Sequence, residues 1–169
     1  MRSAHVTLGV PDADTGTAFK RVRDFARYPE LVDVVRSVTV RGGGDSAEIS
    51  DWEVYFRNGV LRWTESDVID PAALTISFAQ VDGDFDSFSG TWAVVPDGAG
   101  CRISFDTEFD FGIPSLAGIL DPVAERVFKE TIARVVRGLF PSAEVIGDPS
   151  VARALEQSLA QTAPGAGRN

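Results

Sequence analysis

From His5 to Val10 the apolar residues Val6, Leu8 and Val10 fall on every second position, the period of a strand, before Pro11-Asp12. Asp14-Thr15 offers an N-cap for a helix predicted over roughly 16–25, with Ala18, Phe19, Val22 and Phe25 at helical spacing. In Tyr28-Pro29-Glu30-Leu31, Pro29 suits the first turn of a second short helix. From Val34 the period becomes two. Val34 to Arg41, Ser46 to Arg57, Val60 to Asp70, Leu74 to Val81, Phe85 to Val95 and Arg102 to Phe111 all read as strands. Between them stand Gly42-Gly43-Gly44-Asp45, Asn58-Gly59, Asp70-Pro71, Asp82-Gly83 and Pro96-Asp97-Gly98. Asn58-Gly59 and Asp82-Gly83 carry the strongest hairpin signals. The last strand alternates most cleanly. Ile103, Phe105, Thr107, Phe109 and Phe111 take one face, and Arg102, Ser104, Asp106, Glu108 and Asp110 the other. Such a sheet is wet on one side and buried on the other.

After Gly112-Ile113-Pro114 the period turns helical again. Asp121-Pro122 reads as a cap followed by proline at the first helical position, opening a helix that runs to about Phe140, before Pro141. Ala124, Phe128, Ile132, Val135, Val136 and Leu139 form its apolar stripe. A short helix is expected over 149–161 and a disordered tail from Thr162 to Asn169. The predicted fold is α+β. An antiparallel sheet of about seven strands wraps one long helix, with two short helices beside it. Residues 1–145 form this domain and 146–169 an extension. So long a meander makes a concavity larger than one helix fills, and a cavity is expected.

One stretch breaks the pattern. In Leu61-Arg62-Trp63-Thr64-Glu65-Ser66-Asp67, alternation puts Leu61, Trp63, Glu65 and Asp67 on one face. Strands bury residues like the first two and keep carboxylates wet. Either two acids stand inside an apolar cavity, or a bulge turns them out toward bases such as Arg57 and Arg62.

The net charge of −9, from 25 acids against 16 bases, argues against nucleic acid and anionic membrane surfaces. Cys101 is the sole cysteine and His5 the sole histidine, which excludes a disulfide framework and most metal sites. His5 shares a face with Thr7, opposite the apolar set, and is expected to meet solvent. No phosphate-binding glycine motif occurs, no cofactor or metal is expected, and no run is long enough for membrane insertion. The N-terminus has no signal-like apolar core, so a cytoplasmic protein is expected.

Tyr28-Pro29-Glu30-Leu31 early, Trp63 and Asp70-Pro71 in the middle, Asp82-Gly83-Asp84-Phe85 with Trp92, and Phe109-Asp110-Phe111 before the helix carry a resemblance. In this order they resemble the START/Bet v1-like (SRPBCC) helix-grip superfamily. Within it, the chain is similar to the polyketide aromatase/cyclases and the coenzyme Q-binding proteins, over roughly residues 3–140. The resemblance implies a deep cavity between sheet and long helix for an aromatic, polyketide or isoprenoid ligand. It further implies an acyl carrier protein as the partner that delivers such a ligand.

Residue by residue, Tyr28 matches the aromatic residue before the early Pro-Glu, and Trp63 an inward ring, while Leu61 replaces another. The cyclases' inward serine and arginine correspond here to Glu65 and Asp67, their second arginine falls near Gln80, and a tyrosine near Val35. The scaffold matches while the polar machinery differs.

Glu65 and Asp67 are the candidate catalytic pair, about 7 Å apart at Cα for a strand rise of roughly 3.3 Å. In an apolar cavity, burial and mutual repulsion raise both carboxyl pKa values, leaving one acid and one base. That is equipment for enolisation of a β-keto chain, aldol closure and loss of water. Tyr28, Trp52, Phe56, Trp63 and Phe78 are candidate ligand contacts, as are Gln80, Phe88, Trp92, Phe105 and Phe128. Three functions stay open: a cyclase or dehydratase, a non-catalytic carrier of a quinone, lipid or aromatic product, and a domain working through protein contacts. Inward acids favour the first, an apolar channel with the acids outside the second, and a cavity filled by its own side chains the third. Oligomeric state is not legible.

Overall fold

The computed structural model describes residues 2–42, 46–56, 59–111 and 114–162. The Gly43-Gly44-Asp45 turn, Arg57-Asn58, the side chain of Ala124 and the tail after Thr162 lie outside the described residues. The expected strands appear as β1 (Arg2–Val10), β2 (Val35–Arg41), β3 (Ala47–Phe56), β4 (Gly59–Asp70), β5 (Thr75–Gly83), β6 (Ser87–Asp97) and β7 (Gly100–Asp110). A two-residue strand, β8 (Glu144–Val145), adds to the free edge of β1 and was too short to carry a period. The sheet of eight strands has the order β2-β3-β4-β5-β6-β7-β1-β8, with antiparallel neighbours throughout.

Helix α1 (Thr15–Arg23) is capped by Asp14, whose carboxylate accepts from the Thr17 amide at 2.7 Å. A 3-10 turn, Phe25–Arg27, leads into α2 (Tyr28–Leu31), with Pro29 in its first turn. The long helix α3 spans Pro114–Leu139 and α4 spans Pro149–Thr162. Helix α3 therefore starts seven residues before the expected Asp121-Pro122 cap. The helix opens at Pro114 instead, and Pro122 falls inside it, where it has no amide to offer the Gly118 carbonyl.

A second correction concerns Asp82-Gly83. It is no hairpin turn, because β5 runs on through Gly83 to pair with Trp63 on β4. A Cβ at Gly83 would lie 2.5 Å from the Trp63 Cβ, and φ is 150°, so this close approach demands glycine. The chain reverses over Asp84–Asp86 instead. The β4–β5 ladder also carries a bulge: Thr64 faces Asp82 while Glu65 faces Gln80. The extra residue is Val81, on β5, so β4 keeps its alternation through both acids.

Helix α3 lies in the concave face and buries Phe128, Val135, Val136 and Leu139. A Cβ at Gly138 would meet the Leu31 carbonyl oxygen at 2.7 Å, which sets how closely α2 packs on α3. Helix α4 docks on the far side of α3 through Val151 and Leu155 against Ala133. Sheet, α3 and α2 together surround a cavity whose floor is β3–β4.

Candidate active site

The β3–β4 hairpin register determines the site. It pairs Trp52 with Trp63, Ser50 with Glu65 and Glu48 with Asp67. Since paired residues share a face, the two indoles lie side by side, with centroids 5.8 Å apart and planes 2° from parallel. Phe25 and Tyr28 meet the Trp52 ring edge-on at 5.1 and 5.6 Å. Tyr28 is fully buried and its hydroxyl donates to the Val22 carbonyl, which fixes the ring and uses its donor. Burial first, and then the Glu65 charge, push its phenol well above the usual range.

Glu65 is 3% exposed and Asp67 1%, both on the inward face of β4. Their hydrogen bonds form a chain. The Trp52 indole N–H donates to Ser50 Oγ at 2.8 Å, and the Ser50 hydroxyl donates to Asp67 Oδ2 at 2.6 Å. At the other end the Trp63 indole N–H donates to Glu65 Oε1 at 2.7 Å. Asp67 Oδ1 is buried and receives no donor from other residues. The Glu65 and Asp67 carboxyls interact directly, a contact that requires a proton on one of the two.

The inventory closes with one proton on the pair. Burial foremost, then the contact with Asp67, hold the Glu65 carboxyl well above its ordinary range, against the pull of Trp63. Burial also raises Asp67, and the bonds from Glu65 and Ser50 offset that rise only in part. Both carboxyls are thus raised, Glu65 the more strongly. At the back of the pair, half-buried Glu48 is also raised, by burial and the Asp67 charge, with Arg23 opposing.

A cavity of about 70 Å³ lies in front of Glu65. Tyr28, Trp52, Phe56, Trp63, Phe78, Phe88, Trp92, Phe105 and Phe128 line it, together with Glu65. Two expected site residues stand elsewhere. Asp67 lies behind Glu65 and off the cavity wall. Gln80 faces inward, but its amide donates to the Phe85 carbonyl at 2.9 Å and accepts from the Phe85 amide at 3.3 Å. It holds the β5–β6 turn and is absent from the wall. Leu61, Val35, Val54, Thr131, Ile132 and Val135 also line the cavity. Ser50 went unnoticed in the sequence; a two-residue Asn58-Gly59 turn would pair it with Asp67, whereas Gly59 belongs to β4 opposite Phe56 and the register pairs Ser50 with Glu65. Among the described residues no cluster of three or more His, Cys, Asp or Glu could hold a metal. Arg62 points outward, where it binds Glu53 at 3.0 Å.

The profile of a family described as polyketide cyclase / dehydrase and lipid transport matches residues 12–136. The chain belongs to this family. Its fold is that of the START/Bet v1 superfamily, as solved structures show. TTHA0849 from Thermus thermophilus superposes with a TM-score of 0.76 at 22% identity, covering 93% of this chain and 99% of that one. The Zhui aromatase/cyclase from Streptomyces sp. R1128 gives 0.63 at 17%, covering 97% and 98%. The ginseng major latex-like protein 151 from Panax ginseng gives 0.67 at 15%, covering 82% and 94%. No curated protein sequence matches significantly. At such identities the structural likeness carries the fold alone. Among the described residues no helix is long and apolar enough to cross a membrane.

Proposed function

We propose that this family member is a cyclase/dehydratase acting on a poly-β-keto or related intermediate, with Glu65 as its acid–base residue. The observation that carries the reading is a buried carboxyl, its proton affinity raised by that burial, on the wall of a mostly apolar, ring-lined cavity. A carrier of neutral ligands gains nothing from burying two acids.

The chemistry uses one residue in two states. Passing its proton to Asp67 makes Glu65 a base without changing the charge of the pair. Glu65 then takes an acidic α-proton from the substrate, and the enolate carbon attacks a second carbonyl of the chain. As that C–C bond forms, the new alkoxide takes the proton back from Glu65. In dehydration Glu65 removes another α-proton, the C–O bond breaks, and the departing hydroxide leaves with that proton as water. Asp67 never meets substrate; it is a positioning residue that sets the proton affinity of Glu65. The rings fix the fold of the chain by shape, and such positioning supplies much of the rate. A hydrophobic or aromatic small molecule is the ligand, delivered by an acyl carrier protein.

Glu65→Gln keeps the size and the hydrogen bond from Trp63 but cannot cycle a proton. Its turnover should fall by about 10²–10⁴-fold while product binding stays within a few-fold. Unchanged turnover would sink the proposal. It would favour the second reading, non-catalytic binding or transport of a quinone, lipid or aromatic molecule, which the mostly apolar remainder of the wall supports.

A further inference from the structure

The inner cavity leaves about 70 Å³, little more than two waters at roughly 30 Å³ each, whereas ligand pockets span about 300–1,000 Å³. A second space, about 280 Å³, lies outside it between α3, α4 and the edge where β2 meets β3. Val34 and Tyr55 form its sheet side, and Glu130, Thr131, Arg134 and Ser158 belong to its helical side. Thr131 lines both spaces. Two other outer grooves also touch wall residues, at Phe78 and at the two stacked tryptophans. There the hydrogen-bonded sheet stands between groove and cavity. No main-chain ladder joins α3 to the sheet, so at Thr131 side chains form the division.

We propose that this groove is the outer half of the ligand site, with Thr131 as the threshold between the halves. It takes the trailing end of an elongated molecule whose apolar body lies against Glu65. The proposal rests on the ligand-binding role of the cavity, common to both readings above, and not on catalysis. Taken together, the two spaces reach the lower end of the usual pocket range.

The groove's chemistry specifies that trailing end. Tyr55 is 47% exposed and presents its ring, and Val34 adds an aliphatic wall. Both ionic groups are already paired: Arg134 with Asp33 at 2.8 Å, and Glu130 with Arg126 at 3.7 Å. With charges compensated inside a protein of net charge −9, a neutral hydroxyl- or carbonyl-bearing end fits and an anionic one does not. The Thr131 hydroxyl is the polar group positioned at the passage.

The test follows uptake of N-phenyl-1-naphthylamine, a neutral two-ring-system fluorophore larger than the inner cavity, by stopped flow. Thr131→Trp should slow uptake about tenfold or more, and Thr131→Ala should speed it. Ala154→Trp fills the groove without touching the inner wall and should slow uptake as well, so the outcome does not hang on one variant. Val95→Trp, exposed on β6, should leave uptake unchanged. Uptake within about twofold of wild type in both blocking variants, with their melting temperatures intact, would overturn the proposal. Absence of fluorophore binding by the wild type would overturn it together with the ligand-binding role of the cavity. Normal uptake with turnover indifferent to Glu65→Gln would remove only the catalytic reading.

Discussion

The protein builds two hydrogen-bonded chains that each include a carboxyl group, on opposite faces of one sheet. On the inner face, Trp52, Ser50, Asp67, Glu65 and Trp63 run in sequence, with both acids almost wholly buried. On the outer face, Ser104 contacts Thr7 at 3.2 Å, Thr7 contacts His5 at 3.0 Å, and His5 meets Asp106. The outer chain is the one that looks like catalytic equipment on paper, since it aligns an acid, an imidazole and a hydroxyl. Yet the His5 and Asp106 side chains are 61% and 60% exposed, so water screens them. The inner chain has no histidine, but its burial makes each of its protons count. Surroundings rather than residue type separate the two chains.

Three measurements sharpen that contrast. The largest effect should come from Trp52→Ala, which removes a ring packed against Trp63, Phe25 and Tyr28 and the donor to Ser50. Urea denaturation should show a loss of about 3–5 kcal/mol. A loss below about 1 kcal/mol would mean that the inner chain is not packed as described.

A smaller effect concerns pH. Folded Glu65 keeps a proton that the unfolded chain releases above its ordinary value of 4.5. The stability it contributes is therefore complete below that value and is lost as pH rises toward the raised pKa of the folded state. Melting temperature should decline over this window in the wild type, and Glu65→Gln should flatten the decline. Parallel curves for the two proteins would show that Glu65 does not carry the proton.

His5→Ala should do least, moving the melting temperature by no more than about 1–2 °C at any pH. A pH-dependent shift as large as that of Glu65→Gln would erase the distinction between the two faces.

How far the site was legible depended on whether a contact follows a period. Alternation from Trp63 was enough to turn Glu65 and Asp67 inward, because the bulge that threatened it falls on β5, at Val81. Hairpin counting from Asn58-Gly59 would give Ser50 its inward face but the wrong partner, since the register is shifted by two. That Asp67 lies behind Glu65 was not legible, since alternation assigns a face but not a depth. Gln80 faced the correct way, yet its amide is consumed by the Phe85 backbone through a turn with no periodic signature. The start of α3 was obscured because Pro114 and Pro122 both suit a first turn, and local pattern does not choose between them. The threshold at Thr131 arises from helix–helix and helix–sheet packing, for which a single helix's stripe holds no information.

The chain contains three tryptophans, Trp52, Trp63 and Trp92, and all three stand on the wall of the cavity. Its intrinsic fluorescence and near-ultraviolet dichroism therefore contain no tryptophan signal from elsewhere. Two of these indoles are stacked, and one donates to the carboxyl whose proton matters most. Without any label, the protein is an optical reporter of its own cavity, in which the arrival of a ligand and the departure of a proton are written in the same band.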